Sequence, residues 1–279
     1  DLICGNGEYA NEKNTVYENV SGIFATLPTW QAMNTGRTTG LSLGDVEGDG
    51  DLDVVFADER TLRLYVNDSG VLDTTSIWDV STGTPACKDL LLADTDMDGD
   101  LDLVTAMRGV PAVWPKNLVY ENVTLPFAGE PDWEDDSAEL LGGSNVALGD
   151  VNGDDYVDAV FFLGTMRYGA TVFLNEGNQG GIFEPTPSDT VFGAGVRHGA
   201  LGDVDGDTDL DLIAQVGLQD TSGVKVFLNQ GGTFEKTHRW RSPPAGSGFW
   251  STALADINDD GRLDLVMGTT DQPGPQYWS

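Results

Sequence analysis

The sequence predicts an all-β chain, a β-propeller of four-stranded antiparallel blades, on three observations. An acidic nine-residue loop recurs five times, opening at Asp45, Asp94, Asp150, Asp203 and Asp256. The loop starts stand 49, 56, 53 and 53 residues apart, a period that suits one four-stranded sheet per repeat. Between the loops run short apolar and β-branched segments of strand length. No stretch sustains a 3.6-residue apolar period with a helix cap.

Each repeat has the same internal order. A short apolar strand leads into the loop: Leu41-Ser-Leu43, Leu90-Leu-Leu92, Val146-Ala-Leu148, Gly199-Ala-Leu201 and Thr252-Ala-Leu254. A second strand leaves it: Leu52-Asp-Val-Val-Phe56, Leu101-Asp-Leu-Val104, Val157-Asp-Ala-Val-Phe161, Leu210-Asp-Leu-Ile213 and Leu263-Asp-Leu-Val266. These strands are apolar on both faces, as expected where sheets stack on either side. A third strand ends on an aromatic and an Asn: Leu64-Tyr-Val-Asn67, Val119-Tyr-Glu-Asn122, Val172-Phe-Leu-Asn175 and Val226-Phe-Leu-Asn229. Gly-rich turns follow at Gly177-Asn-Gln-Gly-Gly181 and Gln230-Gly-Gly232, where Asn and Gly supply positive φ. A fourth strand carries Trp78, Trp133 or Trp240 in several copies, and these rings are expected to pack between blades. The blades then fall at about 40–86, 87–143, 144–196, 197–249 and 250–279, within one domain covering 1–279.

A partial blade at 1–39 precedes them. Asp1-Leu-Ile-Cys4 aligns with Asp102-Leu-Val104, which puts Asp1 on the last position of a sixth loop. Val16-Tyr-Glu-Asn19 is then that blade's third strand, and Trp30 belongs to its fourth. At the other end, Gln276-Tyr-Trp278 lies in a third strand. The N-terminal blade thus lacks its inner strand and the fifth blade its outer one. One further stretch of roughly 30–45 residues, judged from the repeat period, would supply both and close a six-bladed ring. Donation by a neighbouring subunit is the alternative, a heterologous contact that builds a head-to-tail polymer.

Hydrophobic residues make up 39 % of the 279, enough for a large core, despite a net charge of −32. Such acidity argues against nucleic acid, whose phosphates need Lys and Arg, and against anionic membrane surfaces. There is no apolar run of about 18 residues for membrane insertion, and the chain opens on Asp1 with no basic leader segment. Five bound divalent cations would still leave it strongly acidic. A solvated surface explains that charge, and a saline or alkaline habitat would suit it. Cys4 and Cys87 occupy different repeat positions, and two cysteines make no disulfide framework, so no bridge between them is expected.

Numbered one to nine, the loops carry oxygen side chains at positions 1, 3, 5 and 9. These are Asp45, Glu47, Asp49 and Asp53; Asp94, Asp96, Asp98 and Asp102; Asp150, Asn152, Asp154 and Asp158; Asp203, Asp205, Asp207 and Asp211; Asp256, Asn258, Asp260 and Asp264. Position 7 would offer its backbone carbonyl, from Asp51, Asp100, Tyr156, Asp209 or Arg262. The variety there suits a carbonyl ligand, which leaves its side chain unconstrained. Alternating positions let a tight turn aim its oxygens at one point. About five such sites, each with five protein oxygens and water, suit calcium, which takes six to eight oxygen ligands. Zinc would call for His or Cys, and magnesium prefers octahedral sites rich in water. Position 6 is Gly in three loops but Asp155 and Thr208 in the others, which are expected to turn less easily.

The run Leu-Gly-Asp-Val-Asp-Gly-Asp-x-Asp-Leu-Asp-Leu at 201–212, followed by Val226-Phe-Leu-Asn229, resembles the FG-GAP/VCBS repeat family. That family includes the calcium-binding blades of integrin α-subunit propellers, and the resemblance covers nearly the whole chain. It implies a β-propeller with calcium loops between the first and second strands of each blade. It also implies that these ions are mainly structural and that partners bind elsewhere. Adhesion receptors, lectins and accessory domains of secreted enzymes share the fold, so the ligand stays open.

No catalytic motif stands out; the carboxylates are numerous enough to hold an acid/base pair such as a glycosidase uses, but the obvious ones are committed to metal. His198 and His238 have no spaced Cys or Glu partner, there is no His-Glu-x-x-His or Gly-x-Ser-x-Gly, and Gly246-Ser-Gly248 reads as a loop. Asn19-Val-Ser21, Asn67-Asp-Ser69 and Asn122-Val-Thr124 are sequons at one repeat position; Asn as a turn residue with a chance hydroxyl is the plainer reading. The chain is therefore expected to be a non-enzymatic module outside the cell or on its surface. Three roles compete: recognition of a protein or glycan ligand, a fibre or surface-assembly subunit completed by its neighbour, and an accessory domain of a secreted enzyme.

Overall fold

A computed structural model describes residues 1–7, 12–58, 60–83, 86–108, 116–136, 143–164, 169–177, 182–191, 196–216, 223–242, 249–269 and 276–278. Among these residues there is no helix, and so none that could cross a membrane. Most of the turn expected at 177–181, and the loop around Ser247, lie outside the described residues. The chain groups into two compact units, Asp1–Asp94 with Asp98–Glu134, and Thr95–Met97 with Asp135–Ser279.

The first unit holds strands β1 (Leu2–Cys4), β2 (Thr15–Tyr17), β3 (Asn19–Val20), β4 (Ile23–Phe24) and β5 (Trp30–Gln31). They are followed by β6 (Thr38–Gly44), β7 (Asp53–Asp58), β8 (Thr61–Tyr65), β9 (Asn67–Asp68), β10 (Val71–Leu72) and β11 (Trp78–Ser81). Then come β12 (Ala86–Ala93), β13 (Asp102–Arg108), β14 (Leu118–Tyr120) and β15 (Trp133–Glu134). Three antiparallel sheets result, ordered β1-β2-β5, β6-β7-β8-β11 and β12-β13-β14-β15, with small hairpins β3-β4 and β9-β10.

The second unit repeats the plan. It holds β16 (Asn145–Gly149), β17 (Asp158–Phe162), β18 (Ala170–Phe173), β19 (Asp189–Val191), β20 (Val196–Gly202) and β21 (Asp211–Val216). It ends with β22 (Gly223–Phe227), β23 (Trp240–Arg241), β24 (Phe249–Ala255), β25 (Asp264–Thr269) and β26 (Gln276–Trp278). Its sheets run β16 to β19, β20 to β23, and β24 to β26, each in sequence order. These small meanders are blades of the β-propeller type that the period predicts.

Register is the same in every sheet. The residue after each loop's last Asp pairs with the aromatic of the third strand: Val54 with Tyr65, Leu103 with Tyr120, Ala159 with Phe173, Leu212 with Phe227 and Leu265 with Trp278. Leu2 pairs with Tyr17 in that way too, which places Asp1 where the alignment put it. Second strands β7, β17 and β21 are buried along their whole length. For β7 and β21 the apolar run follows from a sheet of the same unit on each face.

The cores lie between adjacent sheets of each unit. Trp78 stands edge-on to Tyr120 and Phe127 of the next sheet, at 5.4 and 5.2 Å between ring centres. Its Nε1 donates to Ala128 O at 3.1 Å. One sheet earlier Trp30 stands edge-on to Tyr65 in the same way, lies parallel to Phe56 instead, and donates to Asp73 O at 3.1 Å. The strand-four tryptophans at 30 and 78 are therefore packing residues whose single donor is satisfied. Cys4 and Cys87 are both free thiols.

Candidate metal centres

Each acidic loop joins the first and second strands of its sheet and is folded by its own carboxylates. The position-1 Asp accepts the N–H of position 6 on Oδ2 in all five copies, at 2.7–3.1 Å, from Gly50, Gly99, Asp155, Thr208 and Gly261. The position-5 Asp accepts the N–H of position 7 on Oδ1, at 2.9–3.0 Å, from Asp51, Asp100, Tyr156, Asp209 and Arg262. These are Asx-type turns in series, and they bend the chain so that its carboxylates lie on the inside.

Two residues per loop take a left-handed backbone. Position 6 does so in every copy, including Asp155 at φ 73° and Thr208 at φ 82°. The two loops without glycine there thus turn as fully as the others, against the expectation that they would differ. The bond to the position-1 carboxylate holds the conformation despite the side chain. Position 4 is the second such site, with Gly48, Met97, Gly153, Gly206 and Asp259 all at positive φ. Three of its five residues are glycine, which is the signal of this conformation that the sequence carries.

The position-9 Asp has a different environment. Asp53, Asp158 and Asp211 are at most 1 % exposed. Their Oδ2 accepts the N–H of position 2, from Val46, Val151 and Val204 at 2.8–3.1 Å. Their Oδ1 accepts the N–H of the Asn that ends the third strand, from Asn67, Asn175 and Asn229 at 2.7–2.9 Å. Asp102 takes Asn122 N–H in the same way at 2.8 Å, and Asp1 takes Asn19 N–H at 2.8 Å. Position 9 is therefore a buried clasp between loop and third strand, in addition to its expected place among the ligands.

Those Asn residues look like turn residues or sequons along the chain, but they tie neighbouring loops together. Asn122 Nδ2 donates to Val46 O at 2.8 Å, and Asn229 Nδ2 to Val151 O at 2.6 Å. Asn175 Nδ2 donates to Thr95 O at 2.6 Å. In each case the acceptor is position 2 of the loop one repeat earlier. Asn122 is only 4 % exposed, so a glycan on its Nδ2 would have to open this buried contact. Asn67 is half-buried, with Nδ2 donating to Leu52 O at 3.2 Å. Asn19 is exposed. Position-7 side chains are also more constrained than expected: Gly70 N–H donates to Asp51 Oδ2 at 3.1 Å and Gly231 N–H to Asp209 Oδ2 at 3.3 Å.

Carboxylate oxygens of Asp203, Asp205 and Asp211 lie within 4.8 Å of one another, and so do those of Asp94, Asp96 and Asp98 on their shared loop. Among the described residues these are the two groups of three that gather so closely. Asp45, Glu47, Asp49 and Asp53, the Asp150 to Asp158 set and the Asp256 to Asp264 set share the loop fold without that convergence. In one of them Asn152 turns its Nδ2 toward Asp154 Oδ2, 2.9 Å away.

Burial sets the electrostatics. It pushes Asp158 up to about 6, aided by the charges of Asp154 and Asp150 and opposed by the Asn175 and Val151 N–H groups. Burial also raises Asp53 and Asp211, and it raises Glu47 together with the charges of Asp53 and Asp49. A cluster of oxygens, free of His and Cys, whose ionised form is costly when metal-free fits a hard divalent cation.

No curated protein matches the chain. The family described as FG-GAP-like repeat matches residues 45–105 and 215–267. The first match contains the loops at Asp45 and Asp94 whole, and the second contains the loop at Asp256. The loops at Asp150 and Asp203 lie between the matches and are folded by the same carboxylate bonds. The chain carries FG-GAP-like repeats.

Proposed function

We propose that this chain is an extracellular, calcium-binding β-propeller module that recognises a protein or glycan ligand, with its calcium structural and with no catalytic centre. The observation that carries the calcium reading is the convergence of Asp203, Asp205 and Asp211 within 4.8 Å, on a loop design present five times. Two unit charges about 4 Å apart repel by about 1 kcal/mol in water and about 4 kcal/mol near a protein surface. A divalent cation turns that repulsion into attraction. Family type supports an extracellular setting, as does the exposed sequon at Asn19.

A recognition role is supported by the β3-β4 hairpin and the segment after it. Val20, Ile23 and Leu27 there are 58, 74 and 76 % exposed, and neighbouring exposed apolar residues mark interaction surfaces. The buried carboxylates with raised pKa, Asp53, Asp158 and Asp211, sit in the loops held by backbone N–H groups, which favours a structural use over acid–base chemistry.

Calorimetric titration with calcium, alongside melting curves in calcium, magnesium and EDTA, tests the metal. Binding at about five sites, with a lower Tm in EDTA than in calcium, is expected. A melting curve unchanged by EDTA would refute the structural-calcium reading. Screening against glycans and extracellular proteins in calcium tests recognition; ligand binding lost on cutting Ile23 and Leu27 to Ser is expected.

A further inference from the structure

Cations are scarce in this chain, yet they gather in one stretch. Lys225, Lys236, Arg239 and Arg241 are four of its 14 Lys and Arg, and His238 is one of its two histidines. Between residues 225 and 241 they meet a single carboxylate, Glu235, in a chain whose net charge is −32. The sheet register sets two of them directly opposite each other, Lys225 on β22 and Arg241 on β23. Like charges so placed destabilise a sheet, whereas opposite charges support it. Other sheets fill this repeat position differently. Arg63 faces Asp79, with Nε 3.4 Å from Oδ1. Leu118 faces Glu134, which Lys116 Nζ meets at 3.1 Å. Thr171 faces Thr190, and Thr15 faces Gln31. Among the described residues, the β20 to β23 sheet alone sets cation against cation at this position.

Alternation along β22 decides which way these groups face. Val226 packs with Leu265 and Met267, while Phe227 clusters with Val160, Val172 and Val191 of the β16 to β19 sheet. Lys225 shares the face of Phe227, and so does Arg241 opposite it. His238 sets its ring edge-on to Phe227, 6.4 Å between centres. It is exposed, and Lys225 and Arg241 are half-buried. Burial and the Arg241 charge hold the Lys225 ammonium below its ordinary pKa. Burial, Lys225 and Arg241 do the same to His238. No carboxylate of the described residues acts on either group. Asp189, on the facing sheet, is taken by Lys236 Nζ and by the N–H groups of Phe234 and Thr190, at 3.2 and 2.7 Å.

We infer that Lys225, Arg241 and His238 form a binding site for the phosphate monoester group of a small soluble molecule. Charge and donor geometry select the group. A dianion answers the Lys225–Arg241 pair in full, and its three free oxygens match an ammonium, a guanidinium fork and an imidazole N–H. A carboxylate brings one charge and two oxygens. Surroundings select the size. Phe227, Phe234 and Val191 beside the site are at most 4 % exposed. The apolar core of a protein interface, which covers about 800 Å² on each partner, is therefore not on offer here. A polyanion is repelled by the acidic remainder of the chain. Exposed His238 leaves the site open to solvent, with room for the neutral body of an ester.

The test is calorimetric titration of the full chain, in calcium and at fixed ionic strength, with glucose 6-phosphate, inorganic sulfate and glucuronate. Saturable binding of glucose 6-phosphate is expected, with glucuronate at least about tenfold weaker. Lys225→Met should weaken glucose 6-phosphate at least about tenfold, the effect of one charge-assisted hydrogen bond. Lys236→Met, which removes an exposed cation of the same stretch, should leave it within about twofold. Lys225→Glu should abolish binding while the ligand-free Tm holds or rises, because Glu opposite Arg241 repeats the Arg63–Asp79 pairing. That variant keeps the test valid if Lys225→Met folds poorly. No saturable binding of glucose 6-phosphate overturns the inference. So does equal weakening by Lys225→Met and Lys236→Met, which would mean diffuse charge, or binding of sulfate without glucose 6-phosphate, which would mean a free-ion site. Binding of heparin in place of the small probes overturns it as well. The inference rests neither on the calcium reading nor on recognition through the β3-β4 hairpin: a chain with calcium-dependent Tm that ignores glucose 6-phosphate refutes this site alone.

Discussion

Asn229 Nδ2 donates to Val151 O at 2.6 Å, across 78 positions of sequence, while its own N–H donates to Asp211 Oδ1 at 2.9 Å. One residue thereby clasps the loop of its own sheet and the loop of the sheet before it. Removing the side chain leaves Val151 O, in a buried setting, with one acceptor bond fewer. A net cost of about 1–3 kcal/mol follows for a buried polar group that loses its partner. Asn229→Ala is thus expected to lower Tm by several degrees. Asn229→Asp should cost more, because it sets a carboxylate against a carbonyl. A Tm unchanged in Asn229→Ala, measured by calorimetry, would show that the clasp carries no weight.

Thr208 holds φ 82° at the sixth position of its loop, a region that a β-branched residue enters at a cost of about 1–2 kcal/mol. Glycine removes that strain but gives the unfolded chain more freedom, worth about 0.4–1 kcal/mol. Thr208→Gly is therefore expected to stabilise by about 0.5–1 kcal/mol, seen as a modest rise in denaturant midpoint. Gly206→Ala, at φ 85° in the same loop, should move the midpoint the other way. The pair separates backbone strain from any effect on the carboxylates, which neither change touches.

The strands and their register were legible because one motif recurs in phase. Leu103 pairs with Tyr120, and Leu212 with Phe227, as alignment on Asp102 and Asp211 requires. What stayed hidden depended on contacts between repeats. Asn122, Asn175 and Asn229 look like turn residues along the chain, and their bonds to position 2 of the preceding loop span about 80 residues. Position 9 was legible as an oxygen donor, yet its second task, accepting two backbone N–H groups, appears only when the third strand is folded beside it. Glycine at position 6 was a fair sign of positive φ. Thr208 and Asp155 show that a carboxylate bond can impose that conformation where the residue type disfavours it.

The three sequons should divide by burial. Asn19 is exposed, with its Oδ1 accepting Gly22 N–H at 2.8 Å. Asn122 is 4 % exposed and uses the nitrogen that a glycan would occupy to hold Val46 O. Expressed in a host that glycosylates Asn-x-Ser/Thr, folded secreted protein is expected to carry a glycan at Asn19 and none at Asn122. Peptide mass spectrometry of the folded fraction reads this directly. A glycan found at Asn122 in well-folded protein would contradict the clasp built on that side chain.

Asp158 predicts an unusual pH dependence. It is fully buried, and burial raises its carboxyl from 3.8 to about 6. A raised folded-state value means that the fold favours the protonated acid. The resulting stability is fully present below about pH 4 and is lost as pH rises through about 6. At about 1.4 kcal/mol per unit, the penalty for ionising this group in the metal-free fold is of the order of 2–3 kcal/mol. Asp53, Asp211 and Glu47 are raised as well and act with the same sign. In EDTA, Tm is thus expected to climb as pH falls from 7 to 5. Bound calcium stabilises the ionised form, so in saturating calcium the same fall in pH should lower Tm or leave it level. Relief of self-repulsion among the surplus acidic groups acts in both conditions, so the difference between the two curves isolates the loops. That difference should be largest at pH 7 and shrink toward pH 5. Parallel melting curves across this window would mean that the buried loop carboxylates take no part in binding the ion.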